Sequence, residues 1–410
     1  MENVKVGAKV KKYAIVGTGD RAAAFGKPMA DAFPNEVEFV GVFDSNPLRA
    51  RTFAQEHGGV PVYTDFDTML ARSGAELYVI ATPDYTHHEY IIRTMEAGFD
   101  VVTEKPMTTD SDKCKAILEA EQRTGRQVTV AFNCRFMPYM AKLKTIIEEG
   151  TIGRILSIDF NWYLDTLHGA QYFRRWHRHM QQSGGLFVHK STHHFDLVNW
   201  WLDDEPVQVG AMGTRQYFGA SREQRGERCL TCSFKKSCEH YIDIQASRYI
   251  REFYYDNEKE DGYIRDKCVF GDDIDIYDTM SAQVQYKRGA LLNYTLVAHS
   301  PYKNWSATFN GTGGRMEAGE YFRGPRAEEP MHHIQIYNRA GEVISRKSKK
   351  ATGSHGGGDY RLQQMICTQA EDELRQRAGS KSGAMAMLIG VAANRSIAEG
   401  KNIRIQDLLD

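Results

Sequence analysis

The chain lacks an excess of either charge: 52 basic residues stand against 53 acidic ones. That balance argues against a dedicated binder of nucleic acid or of an anionic membrane, since both need a basic surface. Also missing is any apolar run long enough to span a bilayer. Met1 to Lys12 carries basic residues but no apolar stretch ahead of the first strand-like run, so no secretory signal is expected. A cytoplasmic protein is the expectation, and its seven cysteines would then stay reduced. Repeats are absent, and the sole low-complexity stretch, Arg346-Lys347-Ser348-Lys349-Lys350, reads as a solvated turn. The composition is that of a folded protein, and 410 residues exceed one ordinary core, so two domains are expected.

The N-terminal third alternates strand-like and helix-like segments. Tyr13–Val16, Val37–Asp44, Leu77–Ala81, Asp100–Thr103 and Gln127–Phe132 read as strands. The segments between them read as helices, the first from about Ala22 to Phe33, the second from Pro47 with Ser45 or Asn46 as its N-cap. This pattern implies a parallel sheet covered on both faces, a doubly wound α/β domain.

Gly17-Thr18-Gly19-Asp20-Arg21-Ala22 lies between the first strand and the first helix and fits the dinucleotide fingerprint. Gly17 allows the tight turn, Gly19 lets a pyrophosphate approach the backbone, and Ala22 keeps the helix close to the sheet. Asp44 ends the second strand, where its carboxylate can accept ribose hydroxyls and repel a 2′-phosphate. NAD is therefore expected as cofactor, while Arg49 and Arg51 keep NADP open; the plainer role for Asp44 is to cap the next helix. Thr82-Pro83-Asp84 follows another strand and should border the cofactor together with His87, unless His87 only caps its helix. Glu104-Lys105-Pro106 closes the strand after that. Open parallel sheets collect ligands at the carboxyl edge, so Lys105 points at bound ligand near the reacting carbon.

Five histidines crowd residues 177–194: His177, His179, His189, His193 and His194. Imidazole titrates near neutrality and is the usual proton carrier in alcohol oxidation. His189 and His193 share one face if the stretch is helical, a spacing that also permits a metal. Upstream, Trp162, Tyr163 and Trp176 with nearby arginines suit a sugar, although such aromatics are more often core. Arg135 can reach cofactor or substrate, or form a structural ion pair; His355, in a glycine-rich helix start, can touch substrate or lie in a flexible turn. Cys229-x2-Cys232-x5-Cys238, with Cys268 or His240 as a fourth ligand, suggests a structural zinc, less readily an iron–sulfur site; unligated thiols or a local disulfide are the alternatives.

Together these motifs resemble the glucose–fructose oxidoreductase and inositol dehydrogenase family, Gfo/Idh/MocA. The resemblance rests on Gly17-Thr18-Gly19, Asp44, Ala81-Thr82-Pro83-Asp84 with His87, Glu104-Lys105-Pro106 and Phe132-Asn133-Cys134-Arg135-Phe136. It continues in Gly185 through Asp196 and in the last helix, Ala384 to Gly400. It implies an NAD-binding Rossmann domain over residues 1–132. Residues 133–410 would form an α+β substrate domain on a large, mostly antiparallel open sheet, with 216–268 as a cysteine-containing insertion. It also implies a homodimer or homotetramer. Lys105 would hydrogen-bond the substrate hydroxyl and His193 would be the general acid/base. The family usually has aspartate where this chain has His189, with Lys190 next to it.

The expected function is hydride transfer between NAD and a ring hydroxyl of a sugar, glycoside or polyol. Two others stay open. One is redox-neutral glycoside cleavage through a keto-sugar, which the extra histidines favour. The other is a silent NAD-binding regulator, against which Lys105 and His193 argue. Arg248 to Cys268 is expected to act as a lid over the substrate cleft or an arm to a neighbouring subunit.

Overall fold

Apolar runs without polar alternation are what a sheet covered on both faces requires, and the first third of the chain supplies them. The computed structural model describes residues 10–368 and 370–410. It places β1 (Lys11–Val16), β2 (Val37–Phe43), β3 (Leu77–Ile80), β4 (Asp100–Thr103) and β5 (Val128–Val130) in one parallel sheet, ordered β2-β1-β3-β4-β5. The central strand β3 is buried at every residue. Helices return the chain between strands, so all the carboxyl ends open on one edge.

Local chemistry sets the helix boundaries. The Asn46 side chain accepts the backbone N–H groups of Leu48 and Arg49, and Pro47 opens the helix Pro47–Glu56. Asp110 caps Ser111–Thr124, and Gly125 closes it in the left-handed region. The single helix expected from Ala22 to Phe33 is two, Ala22–Phe25 and Lys27–Ala32. Gly26 leaves helical geometry between them, and Pro28, which lacks an N–H, fits the first turn of the second helix but not the interior of a continuous one.

The second half builds a nine-stranded sheet. Its strands are β6 (Ile155–Asp165), β7 (Pro206–Thr214), β8 (Thr279–Tyr286), β9 (Leu291–Ser300), β10 (Asn304–Gly311), β11 (Gly314–Tyr321), β12 (Met331–Asn338), β13 (Val343–Lys349) and β14 (Ile403–Arg404). Their order is β13-β12-β11-β10-β6-β9-β8-β7-β14, and every pairing is antiparallel except β6 with β9. Burial alternates along β8, so one face is covered and the other is open. The basic stretch Arg346–Lys350, expected as a turn, mostly belongs to the edge strand β13. Exposed lysine and arginine on an edge discourage pairing with another chain.

The helices Thr192–Leu202 and Ser380–Glu399 pack together on the covered side, where Trp201 meets Phe160 and Phe309. At Gly390 a Cβ would lie 2.5 Å from the Phe187 carbonyl, so only glycine lets the last helix approach the segment Gly185–His189. The same helix reaches β5 and Ser111–Thr124, and one apolar core runs through both halves. No helix among the described residues is long and apolar enough to cross a membrane.

The insertion between β7 and β8 is mostly turns, with short helices at Arg248–Phe253 and Glu258–Asp261. The metal expected there is not supported. Among the described residues no three metal-capable side chains converge, and Cys229, Cys232, Cys238 and Cys268 are free thiols. Two of those sulfurs are occupied otherwise: Arg174 donates to Cys229 Sγ at 3.0 Å and Arg222 to Cys238 Sγ at 3.1 Å. Burial raises the Cys229 thiol, disfavouring the thiolate a metal needs. Ion pairs hold the insertion instead, with Arg228 gripping Glu258 at 2.6 Å and Asp266 at 2.5 Å.

Candidate active site

Four of the five parallel strands deliver a residue to one edge: Gly17 after β1, Asp44 after β2, Thr82 after β3, Lys105 after β4. These residues border a cavity of about 1340 Å³ that side chains of both halves complete. At Gly17, φ is +87° and a Cβ would lie 2.7 Å from the Thr82 nitrogen, so the turn admits no side chain. Above Gly19 nothing comes closer to a Cβ position than the Tyr254 hydroxyl at 4.0 Å, which leaves room at the helix start. Asp44 Oδ2 accepts Thr18 N at 2.7 Å and Thr18 Oγ1 at 2.8 Å, so the second strand end braces the glycine turn. Open backbone, glycine turn and adjacent carboxylate fit the adenosine and pyrophosphate portions of a dinucleotide.

The neighbouring charges are paired within the protein. Asp20 receives Arg175 at 3.0 Å, Arg265 at 2.9 Å and the hydroxyls of Tyr249 and Tyr254 at 2.9 and 2.7 Å. Burial alone would raise its carboxyl, but the two guanidinium groups hold it well below the usual range. Arg21 donates to Glu104 at 2.9 Å and to Asp359 at 3.3 Å. Arg49 lies 2.5 Å from Asp261 and 3.5 Å from Asp44. The arm Arg248–Asp261 thus lies over the dinucleotide end of the cavity and is fastened to its own chain.

At the other end, two short helices meet. Gly184 and Gly185, both at positive φ, turn the chain into Gly185–His189, and Thr192–Leu202 begins three residues later. His189 and His193 therefore do not share one helix face, as the four-residue spacing would give; the helix breaks at Lys190 and Ser191. Both rings still border the cavity. Lys105 Nζ donates to the His189 carbonyl at 3.0 Å. His189 Nδ1 lies 2.5 Å from Asp84 Oδ2, and burial pushes both groups toward their neutral forms. His177 lies 4.2 Å from His189 by ring centres and stacks on Trp176 at 3.8 Å. The His193 ring packs edge-on against Phe132 at 6.2 Å but finds no hydrogen-bond partner among the described residues, and its Nδ1 is buried. Burial, then the charge of Lys105, hold its imidazole well below the ordinary histidine value, so it is a free base at neutral pH.

Other expected residues fall elsewhere. Arg135 does not reach the cavity; it pairs with Asp196 at 2.6 Å, both nearly sealed from solvent, and forms the structural ion pair that was the alternative reading. Tyr163 also misses the cavity, because side chains alternate along β6 and its neighbour Trp162 takes the inward place. His194 points into the aromatic core, bonded to Tyr294 at 2.7 Å. His87 borders the cavity but is clamped between the carbonyls of Pro106 and Thr82, each at 2.8 Å. His355, with φ of 48°, lines the cavity and contacts Asp359 at 2.8 Å.

Two residues of the site, Arg175 and Lys303, were not singled out from sequence. Asp84, expected beside the cofactor, is the partner of His189, and Arg175 of Asp20; Lys190 and Lys303 line the end of the cavity away from the glycine turn. Asp84 had a signal, its place after a strand of the parallel sheet. Lys303, just ahead of β10, had none.

A deep cavity between a dinucleotide-binding edge and a lysine–histidine cluster defines an oxidoreductase-type site. Residues 11–132 match the family model described as "oxidoreductase family, NAD-binding Rossmann fold", and residues 144–405 match its "C-terminal alpha/beta domain". The chain belongs to this GFO_IDH_MocA oxidoreductase family. It is 38% identical to a Bacillus subtilis (strain 168) protein named "Putative oxidoreductase YteT", over 97% of this chain and 99% of that one. An inositol 2-dehydrogenase of Rhizobium meliloti (strain 1021) is 29% identical over 49% of this chain and 57% of its own length. Among solved structures, a levoglucosan dehydrogenase in complex with NADH and levoglucosan superposes with a TM-score of 0.69. It covers 97% of this chain and 100% of its own at 17% identity, a likeness of fold alone.

Proposed function

We propose that the protein transfers hydride between NAD and a ring hydroxyl of a sugar, glycoside or polyol. The observation that carries this reading is the pairing of an unpartnered base, His193, with Lys105 at one end of a cavity whose other end is the Gly17–Gly19 turn. Gly17, Thr18, Gly19 and Asp44 would hold the dinucleotide, which supplies the hydride acceptor when bound. His193 takes the hydroxyl proton as the carbinol carbon is oxidised. Lys105 spends one N–H on the His189 carbonyl and keeps two to steady the developing alkoxide. Asp44 disfavours a 2′-phosphate, and Arg49, the nearby cation that would welcome one, is committed to Asp261. Both favour NAD over NADP. The open face of the nine-stranded sheet carries exposed Met212 and Leu291, which supports a homodimer or homotetramer, measurable by light scattering.

A second reading has a specific observation behind it. His177, His189 and Asp84 form a further proton-handling group in the same cavity, beside Lys105. Oxidation next to a ring carbon acidifies its C–H, and a second base would then allow loss of the glycosidic group before the hydride returns. The experiment that tests both is a panel of sugars and glycosides mixed with NAD or NADP, following reduced cofactor and sugar products together. Net NADH supports the dehydrogenase; aglycone without net NADH overturns it in favour of the redox-neutral reaction.

A further inference from the structure

At the sugar end of the cavity stand two lysines with no carboxylate in contact. Lys190 and Lys303 line it, and neither forms an ion pair among the described residues. Each ammonium sits against an aromatic face: Lys190 Nζ is 5.0 Å from the centre of Trp162, and Lys303 Nζ is 4.5 Å from that of Phe322. Cation–π contact positions a charge but neutralises none of it. The nearest carboxylates, Asp165 and Glu320, offset part of the Lys303 charge from beyond contact and have other partners. Asp165 caps the His168 nitrogen at 2.8 Å and meets Arg323 at 3.4 Å. Glu320 accepts Trp305 Nε1 at 3.2 Å and lies 3.6 Å from His332.

Lys190 feels the charge of Lys303. Burial pushes Lys190 down to about 7, with Lys303 the next cause. His168, bonded to Tyr172 in the same wall, is driven to about 2 by burial and then by Lys190, Lys303 and Arg323. Two partly buried like charges with no carboxylate in contact are costly to the fold unless a ligand answers them. Their aromatic neighbours Trp162 and Phe322 suit a sugar ring.

We propose that Lys190 and Lys303 form a subsite for the acidic group of the substrate, so that the preferred sugar carries a carboxylate or a phosphate. The assignment rests on the sugar-oxidoreductase reading above and deepens it. An anionic substituent at this end completes the charge balance and anchors the ring with its hydroxyls toward Lys105 and His193.

The test uses the full chain saturated with NADH. Glucose, galactose and mannose are titrated calorimetrically beside their uronates and their 6-phosphates. The acidic member of at least one set should bind about tenfold or more tightly than its neutral parent, the gain of a charge-assisted hydrogen bond. Uronate and phosphate arms show which acid is meant. Lys190→Met and Lys303→Met keep the aliphatic stem and should each erase most of that preference, while Lys190→Arg should keep part of it; circular dichroism checks that each variant is folded. Equal affinity for acidic and neutral sugars, binding of neither, or a preference that survives both substitutions overturns the subsite. Reduction of NAD by neutral sugars alone would do the same while upholding hydride transfer. Tight binding of acidic sugars with no redox or glycosidic change would uphold the subsite and remove the catalytic reading.

Discussion

The two ends of the cavity treat charge in opposite ways. At the dinucleotide end every ionic group described has its partner: Asp20 with Arg175 and Arg265, Arg21 with Glu104 and Asp359, Arg49 with Asp44 and Asp261. At the other end, among the described residues, Lys190 and Lys303 form no ion pair, Lys105 Nζ has only a carbonyl, and the His193 ring has no hydrogen bond. A paired network fixes geometry, whereas an unpaired one is strained until something binds. The contrast assigns scaffolding to one end and chemistry to the other, and substitutions can break or sharpen it.

The largest effect is expected at Lys105. Lys105→Ala should lower kcat about a thousandfold, the scale of a lost electrostatic stabiliser, with NADH affinity retained in a fluorescence titration. His193→Ala should follow at about a hundredfold or more. In the intact enzyme, the acid limb of the kcat/KM profile should lie below the ordinary histidine range. The lowered imidazole stays unprotonated, and so active, as pH falls through neutrality, and activity is lost only when pH reaches the lowered value. A normal limb near pH 6.5 would remove His193 as the base.

Next in size is a paired group away from the chemistry. Arg135→Met leaves Asp196 buried and alone, and should cost about 3–5 kcal/mol of stability in denaturant unfolding. Asp20→Asn weakens the arm's attachment to the glycine turn. About 2 kcal/mol of stability should go, and limited proteolysis should cut faster within residues 248–263. The smallest effect has the opposite sign. Lys190→Met removes an uncompensated charge and should raise stability by about 1 kcal/mol at neutral pH. Lysine in an unfolded chain titrates near pH 10.4, well above the value of about 7 in the fold. Between those values the unfolded chain binds more protons, so rising pH stabilises the wild-type fold. The variant's advantage should therefore be largest below pH 7 and shrink toward pH 10, read as the difference between two melting curves. A Lys190→Met protein less stable than wild type at every pH would erase the contrast between the two ends.

Much of the first half was legible because its information is local. Strand periodicity, Ser45 or Asn46 as a cap, and the spacing from Gly17 to Asp44 each need only a short window of sequence. The errors arose where distant partners decide. Arg135 was open between ligand and ion pair until the fold brought Asp196 beside it. Tyr163 and Trp162 were interchangeable until the register of β6 chose a face. The cysteines of the insertion had a zinc-like spacing, but Arg174 and Arg222, far off or across a turn, claimed two of the sulfurs. Lys303 shows the same limit from the other side: it has no motif and matters only for what the fold sets beside it, and Asp84, which has one, gains its partner His189 only from the second half.

The arm over the glycine turn also bears on how distant parts of the chain are joined. The parallel sheet is complete at Val130, yet its ligand edge is finished by Arg265 and Asp359, whose contacts with Asp20 and Arg21 span 245 and 338 residues. Closing so much chain costs more than closing a short loop, though the cost grows only slowly with length. The dinucleotide edge is thus built from both the first and the last part of the chain. A ligand lying across it would tie the two ends of the polypeptide together and draw its binding energy into the stability of the whole fold.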